Sequence, residues 1–303
     1  MNSFSSQLAF WFRASNSQLI HPQSFVELKI RKVVFWLSLI FFKRWTKKKQ
    51  AREVLLIDNV DQNVVMRVDI SKTMGAAFFW MGYHEFNEWR YLNRFLKQDM
   101  VFIDVGSNQG EYALFAAKRL TQGKVVAFEP VDKFYQQLCD NISLNRFNNL
   151  LTMNCGLSAS PGSLPIYMTG ELNAMEHEGL ATLYPTTERG HFVQEIQLKV
   201  FDDLIDSLAI DRMDLVKIDV EGAELSALQG MRKSLGKFKP YVLLEMNEIT
   251  FKAAGYELAT VVDFFKELNY SIFKIGRDGI LQPLRSPSGV NNCVFVPTDK
   301  LTK

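Results

Sequence analysis

Cysteine, histidine and proline are all scarce in this 303-residue chain, with three, four and nine residues respectively. Cys139, Cys155 and Cys293 are odd in number, far apart and without a C-x-x-C spacing. That excludes a disulfide framework and a cysteine zinc site, and it suits a reducing, cytoplasmic compartment. The expected role of all three is that of small buried hydrophobes. The first twenty residues lack the basic start, apolar run and small-residue cleavage site of a signal peptide. The apolar run at residues 33–42 (VVFWLSLIFF) holds ten residues, where a spanning helix needs about twenty. No repeat or low-complexity segment is evident, and 47% apolar with 22% charged residues excludes wholesale disorder.

A formal net charge of +2 conceals an asymmetry. Residues 1–50 carry nine Lys/Arg and one Glu, a net of +8, which leaves 26 basic against 32 acidic residues, or −6, for the rest. No basic stripe runs through that body, so nucleic acid is not an expected partner. Residues 24–49 read as one helix with an apolar middle, flanked by Lys29, Arg31 and Lys32 on one side and Lys43, Arg44, Lys47, Lys48 and Lys49 on the other. Ten aromatic residues fall within the first 45 positions. Such a helix either docks its apolar face on the body or on a second subunit, or lies at a membrane surface with its cations snorkelling to the headgroups. The chain is thus expected to divide into a basic helical arm (1–50), a lead-in (51–100) and a main domain (101–303).

The lead-in holds two alternating runs, 54–58 and 64–70, read as a hairpin, then a helix over 85–97. From residue 101, apolar β-rich runs (101–105, 125–128, 150–154, 214–219, 241–245, 270–275, 293–296) alternate with helical runs (111–120, 132–145, 223–235, 258–268). That rhythm predicts a doubly wound α/β fold, a parallel sheet with helices on both faces, and ligands beyond the carboxyl ends of its strands. Residues 156–200 interrupt it with glycines, prolines, His177 and His191, as a lid or binding loop does.

The first strand of the main domain ends in Ile103-Asp104-Val105-Gly106-Ser107-Asn108-Gln109-Gly110. Glycines between a strand and a helix let a ligand approach the backbone closely. Asn108 stands where a dinucleotide fingerprint has its second glycine. Asp104 at the mouth of the turn would repel a pyrophosphate and attract an ammonium or sulfonium group, which favours S-adenosylmethionine over NAD. Glu129, ending the second strand, is placed to accept from both ribose hydroxyls, and Asn154, ending the third, to flank the adenine. The competing reading of Asp104 and Glu129 is helix capping.

These residues resemble the FkbM-type family of methyltransferases over about residues 75–275. The matching blocks are GYHE (82–85), IDVGSNQGEYAL (103–114), VVAFEP (125–130), NISLN (141–145), GLSASPGSLPIY (156–167), VKIDVEGAE (216–224) with LQG (228–230), and a strand ending in Glu245. Ser107 and Gln109 depart from the pattern but spare the glycines and Asn108. The resemblance implies a Rossmann-like class I methyltransferase domain and S-adenosylmethionine-dependent O-methylation of sugars, polysaccharide precursors and some polyketides. The acceptor is then a hydroxyl-bearing small molecule or glycan. Residues 1–50 lie outside the resemblance.

A sugar hydroxyl is a poor nucleophile and needs a base or a metal ion. Lys217, Asp219, Glu221 and Glu224 cluster at one strand end, with Glu245 and Glu248 at the next. Asp219 is the first candidate for a base or for a ligand to a divalent cation, with Glu221 and Lys217 beside it. Glu221 and Glu224 also suit a helix N-terminus by charge alone. An NAD-dependent oxidoreductase and a non-catalytic binding module on the same fold are the alternatives.

Overall fold

The computed structural model describes residues 3–20, 25–46, 53–83, 85–168, 181–185 and 190–301. Helices α1 (Ser3–Ile20) and α2 (Phe25–Thr46) precede the hairpin β1 (Val54–Val60) and β2 (Val64–Asp69), then α3 (Thr73–Met81) and α4 (Phe86–Phe95). The alternating region runs β3 (Val101–Val105), α5 (Glu111–Arg119), β4 (Lys124–Phe128), α6 (Asp132–Asn145) and β5 (Leu150–Met153). A small sheet follows, of β6 (Gly156–Leu157), β7 (Gly162–Met168) and β8 (His191–Lys199). The chain resumes with β9 (Leu215–Ile218), α7 (Glu224–Gly230), α8 (Arg232–Phe238), β10 (Tyr241–Glu245), α9 (Glu248–Ala253), α10 (Leu258–Glu267), β11 (Tyr270–Ile275), β12 (Leu281–Pro283) and β13 (Asn292–Pro297).

The main sheet has eight strands in the order β12-β11-β13-β10-β9-β3-β4-β5. The five from β10 to β5 are parallel, as expected, whereas β13 inserts antiparallel between β10 and β11 and makes the sheet mixed. From β3 the chain steps outward through β4 and β5 and returns on the other side as β9. The crevice beyond the carboxyl ends of β3 and β9 is therefore a topological switch point, where such sheets bind ligands. Strand side chains alternate between two cores. Phe102, Val125, Ala127, Leu215 and Leu243 pack with α4, α5 and the N-terminal helices. Ile103, Val126, Phe128, Val216 and Leu244 pack with α7, α8 and α10.

The helix expected over 24–49 is α2, but it has a partner, α1, that the serine-rich start does not announce. The two run antiparallel: Phe12 meets Phe41 at 5.5 Å between ring centroids, and Asn16 Nδ2 donates to Ser38 Oγ at 3.1 Å. Both pack on α3, whose residues 75–81 are all buried. A helix apolar on every side has no amphipathic period to read. The single helix expected over 223–235 is instead two short ones, α7 and α8. Residues 156–200, read as irregular, contain the three-stranded sheet; His177 lies outside the described residues. Among the described residues, no helix is long and apolar enough to cross a membrane.

Asparagines of α6 tie the hairpin to the main domain. Asn141 Oδ1 accepts from Arg67 N at 2.8 Å while its Nδ2 donates to Gln109 O at 2.9 Å. Asn145 pairs both ways with the Val65 backbone, at 2.8 and 2.7 Å. The NISLN block is thus a staple between β2 and the glycine turn.

Candidate active site

A cavity of about 220 Å³ opens beyond the ends of β3, β4, β9 and β10, far more than the ~10–15 Å³ that one water requires. Its two ends differ in chemistry. Val131, Phe134, Ile166, Ile196 and Leu198 form an apolar end under the small sheet. At the other end Glu85, Asp219, Glu221 and Glu245 present carboxylates.

Of the residues singled out from the sequence, Gly106, Asn108, Glu129, Lys217, Asp219 and Glu221 line the cavity. Asp104, Gly110 and Asn154 do not. Asp104 is wholly buried on the sheet face that packs against α5 instead of standing at the mouth of the turn, and among the described residues neither carboxylate oxygen has a hydrogen-bond partner. Gly110 caps α5 with φ +101°, packed where a Cβ would meet Leu138 at 2.6 Å. Asn154 points to the surface and donates to Asp132 Oδ1 at 2.7 Å, so Cys155, Gly156 and Leu157 form the wall there. His191 is exposed on β8.

Glu129 is held from both sides. Asn108 N donates to Oε2 at 2.8 Å and Val131 N to Oε1 at 2.9 Å. Burial nonetheless pushes its carboxyl up to about 7. Asn108 adopts φ +48°, a left-handed conformation that asparagine tolerates and that aims its N–H at Glu129. Gly106, at φ +83°, is required by proximity as well. A Cβ there would sit 2.0 Å from Asp219 O, so the two strand ends meet through a bare backbone.

The acidic end is organised around Lys217. Its ammonium donates to Asp219 Oδ2 at 3.1 Å and stands 4.5 Å from the centre of the Tyr112 ring. Burial works against that charge, but Asp219, Asp104 and Glu85 outweigh it and hold the lysine above its ordinary value. Tyr112 stacks on Trp89, and its hydroxyl donates to Glu85, which also accepts from Asn292 Nδ2 at 2.7 Å. Asp219, Glu221 and Glu245 can each bring one oxygen within 4.8 Å of the others. Burial, reinforced by Asp219 and Glu221, raises Glu245 well above the carboxylate range.

The two acids read alike from the sequence part ways here. Glu224 accepts from Val220 N, Gly222 N and the Tyr256 hydroxyl, at 3.1, 2.9 and 3.1 Å, and so closes the turn that starts α7. Glu221 sits in that turn at φ +52°, a costly backbone for a non-glycine residue, and lines the cavity. Sequence reasoning missed Glu111 and Tyr112, although both follow directly on the glycine turn. It also missed Met74 and Phe78, which reach the cavity from the unannounced α3.

Residues 104–272 match the family model described as the methyltransferase FkbM domain. The chain belongs to that family. It is 30% identical over 160 residues to methyltransferase sdnD of Sordaria araneosa, a match covering 45% of this chain and 62% of the relative. It is 30% identical over 189 residues to the hexuronic acid methyltransferase AglP of Haloferax volcanii, covering 60% and 69%. Methyltransferase 1 of Beauveria bassiana is 27% identical over 149 residues, and the match spans 59% of that relative's length. A solved FkbM methyltransferase from Methylobacillus flagellatus aligns over 88% of this chain and 60% of its own, with 14% identity and a TM-score of 0.41.

Proposed function

We propose that this chain is an S-adenosylmethionine-dependent methyltransferase that O-methylates a hydroxyl of a sugar, a polysaccharide precursor or a related natural product. The observation that carries the reading is the acidic lining of the cavity: among the described residues, Glu85, Glu111, Glu129, Asp219, Glu221 and Glu245 line it against one ammonium, that of Lys217. Such a wall attracts a sulfonium and an amino group, whose positive charge draws the raised carboxyls of Glu111, Glu129 and Glu245 toward their ionised forms, and it repels the pyrophosphate of NAD. Glu129, fixed by two backbone N–H groups, keeps lone pairs for two ribose hydroxyls. The apolar end suits a flat purine. The hexuronic acid specificity in the name of the Haloferax relative supports a sugar acceptor.

The bound cofactor supplies a methyl group already activated by positive sulfur. The protein's share is to orient the acceptor oxygen, exclude water and take the hydroxyl proton. Asp219 is the base in this reading. It is 35% exposed at its side chain, open to the cavity, and oriented by Lys217. Lys217 itself, held charged by its carboxylate neighbours, serves as that partner and not as a proton acceptor. In a second version, Asp219, Glu221 and Glu245 hold a divalent cation that acidifies the hydroxyl.

Calorimetry tests the cofactor. S-Adenosylhomocysteine should bind and NAD should not, and Glu129→Ala should weaken binding by about 1.5–3 kcal/mol, the range for hydrogen bonds to a charged group. Tight NAD binding, or an unchanged affinity in the variant, would overturn the assignment.

A further inference from the structure

The inner faces of the N-terminal hairpin are tied to the body. Arg13 donates through Nε to Asn59 Oδ1 and through Nη1 to Phe79 O, both at 2.6 Å. Asn16 Nδ2 donates to Met81 O at 3.0 Å, and Trp45 Nε1 to Ile70 O at 2.9 Å. The rings of Phe12, Phe41 and Trp45 pack on Trp80 of α3. The hairpin is therefore part of the body, not a tethered appendage.

Its outer faces are apolar as well. Val33, Trp36 and Leu37, at i, i+3 and i+4 along α2, are 60%, 63% and 38% exposed. Phe4 and Trp11, two turns apart on α1, are 68% and 53% exposed. Lys32, Lys43 and Arg44 are exposed along the same helix as Trp36. We propose that the outer face of the α1–α2 hairpin is the seat by which this protein rests on an anionic lipid bilayer.

Charge selects the occupant. The hairpin belongs to the segment with a net of +8, while the rest of the chain carries −6. Two copies meeting through this face in a two-fold dimer would set the exposed Lys32, Lys43 and Arg44 of one against those of the other, because the same patch appears on both sides. A bilayer containing acidic headgroups neutralises it and repels the acidic body, so only the hairpin approaches. Tryptophan and phenylalanine enter the headgroup boundary while lysine and arginine remain in its polar layer. The surface so defined lies close to the site. The hairpin packs on α3 through Phe79 and Trp80, and α3 also lines the cavity with Met74 and Phe78. One helix separates the membrane seat from the cavity wall. The inference is independent of which cofactor the cavity takes.

The test is co-sedimentation of the full-length protein with phosphatidylcholine vesicles, with and without phosphatidylserine, at low and high salt. Binding is expected only to the anionic vesicles, weakening as salt screens the charges. Trp11→Ser with Trp36→Ser should reduce it by about tenfold or more, as should Lys43→Glu with Arg44→Glu. All four positions are exposed, and thermal unfolding should confirm that both variants keep the wild-type transition. Wild-type protein that stays in the supernatant, or variants that sediment as well as wild type, would overturn the proposal. So would a concentration-dependent dimer in analytical ultracentrifugation that the tryptophan substitutions dissociate, which would make a second copy the occupant.

Discussion

Asp104 and Lys217 are register partners on the adjacent parallel strands β3 and β9, and both are buried. They share the sheet face of Phe102 and Leu215, two residues earlier on each strand. Lys217 is the cation that offsets the buried, unbonded Asp104 carboxyl, which burial still pushes up to about 6 against that attraction. Leaving a buried polar group unsatisfied costs about 1–3 kcal/mol, and more when it is charged. Lys217→Met should therefore destabilise the protein by that order in urea unfolding, and adding Asp104→Asn should restore part of the loss. A double variant no more stable than Lys217→Met alone would show that the two charges are not coupled.

Gly106 separates a packing requirement from a chemical one. Its missing Cβ would strike the backbone oxygen of Asp219, which cannot rotate away. Gly106→Ala should cost about 1–3 kcal/mol through overpacking, compounded by the left-handed φ, and should weaken S-adenosylhomocysteine binding by moving the two strand ends apart. At Gly156 the obstacle is a Leu198 methyl at 2.8 Å, the end of a side chain. Gly156→Ala should accordingly lower the unfolding temperature less than Gly106→Ala. The reverse order would contradict the close approach of β3 and β9.

Much of this site was legible in the sequence because it is built from strand ends. Strand ends are marked by apolar runs giving way to glycine and acid, and Gly106, Asn108, Glu129, Lys217, Asp219 and Glu221 all sit at such ends around one crevice. Asp104 differs because it lies one residue inside the end of β3, on the sheet face covered by α5, where it is wholly buried. Asn154 faces the surface, and its neighbour Cys155 faces the cavity. Helix α3 was invisible because TMGAAFFWM has no polar face to give it a period. The small sheet of β6, β7 and β8 was hidden by the Pro161-Gly162 turn and by the long separation between β7 and β8.

The buried carboxyl of Glu111 sets a pH dependence. Burial raises it from 4.5 to about 7 in the folded chain. Between those values the folded state holds a proton that the unfolded state has lost, so its contribution is fully present below about pH 4.5 and disappears as pH rises through about 7. Glu111→Gln keeps an acceptor for Gln109 Nε2, which donates to Glu111 Oε1 at 3.1 Å, and never ionises. Variant and wild type should have similar stability near pH 4.5. By about pH 8 the ligand-free variant should be more stable, by up to roughly 3 kcal/mol. Parallel stability curves across that window would contradict a raised Glu111.

Asp219→Asn preserves shape and removes charge. Turnover should fall by about 10²–10⁴-fold, the contribution of a general base, with S-adenosylhomocysteine affinity nearly unchanged. EDTA distinguishes the base from the cation version, since only the latter stops on chelation and recovers with magnesium. Wild-type turnover in the variant would make Asp219 structural.

The most direct measurement of the proposed chemistry is mass spectrometry of candidate glycans and other hydroxyl-bearing acceptors after incubation with the purified protein and methyl-labelled S-adenosylmethionine. The expected result is label on an acceptor oxygen together with formation of S-adenosylhomocysteine, both lost in Glu129→Ala at low cofactor concentration. Label on a carbon or nitrogen atom would contradict O-methylation, and NAD-dependent oxidation of the same acceptors with no label transferred would contradict the methyltransferase itself.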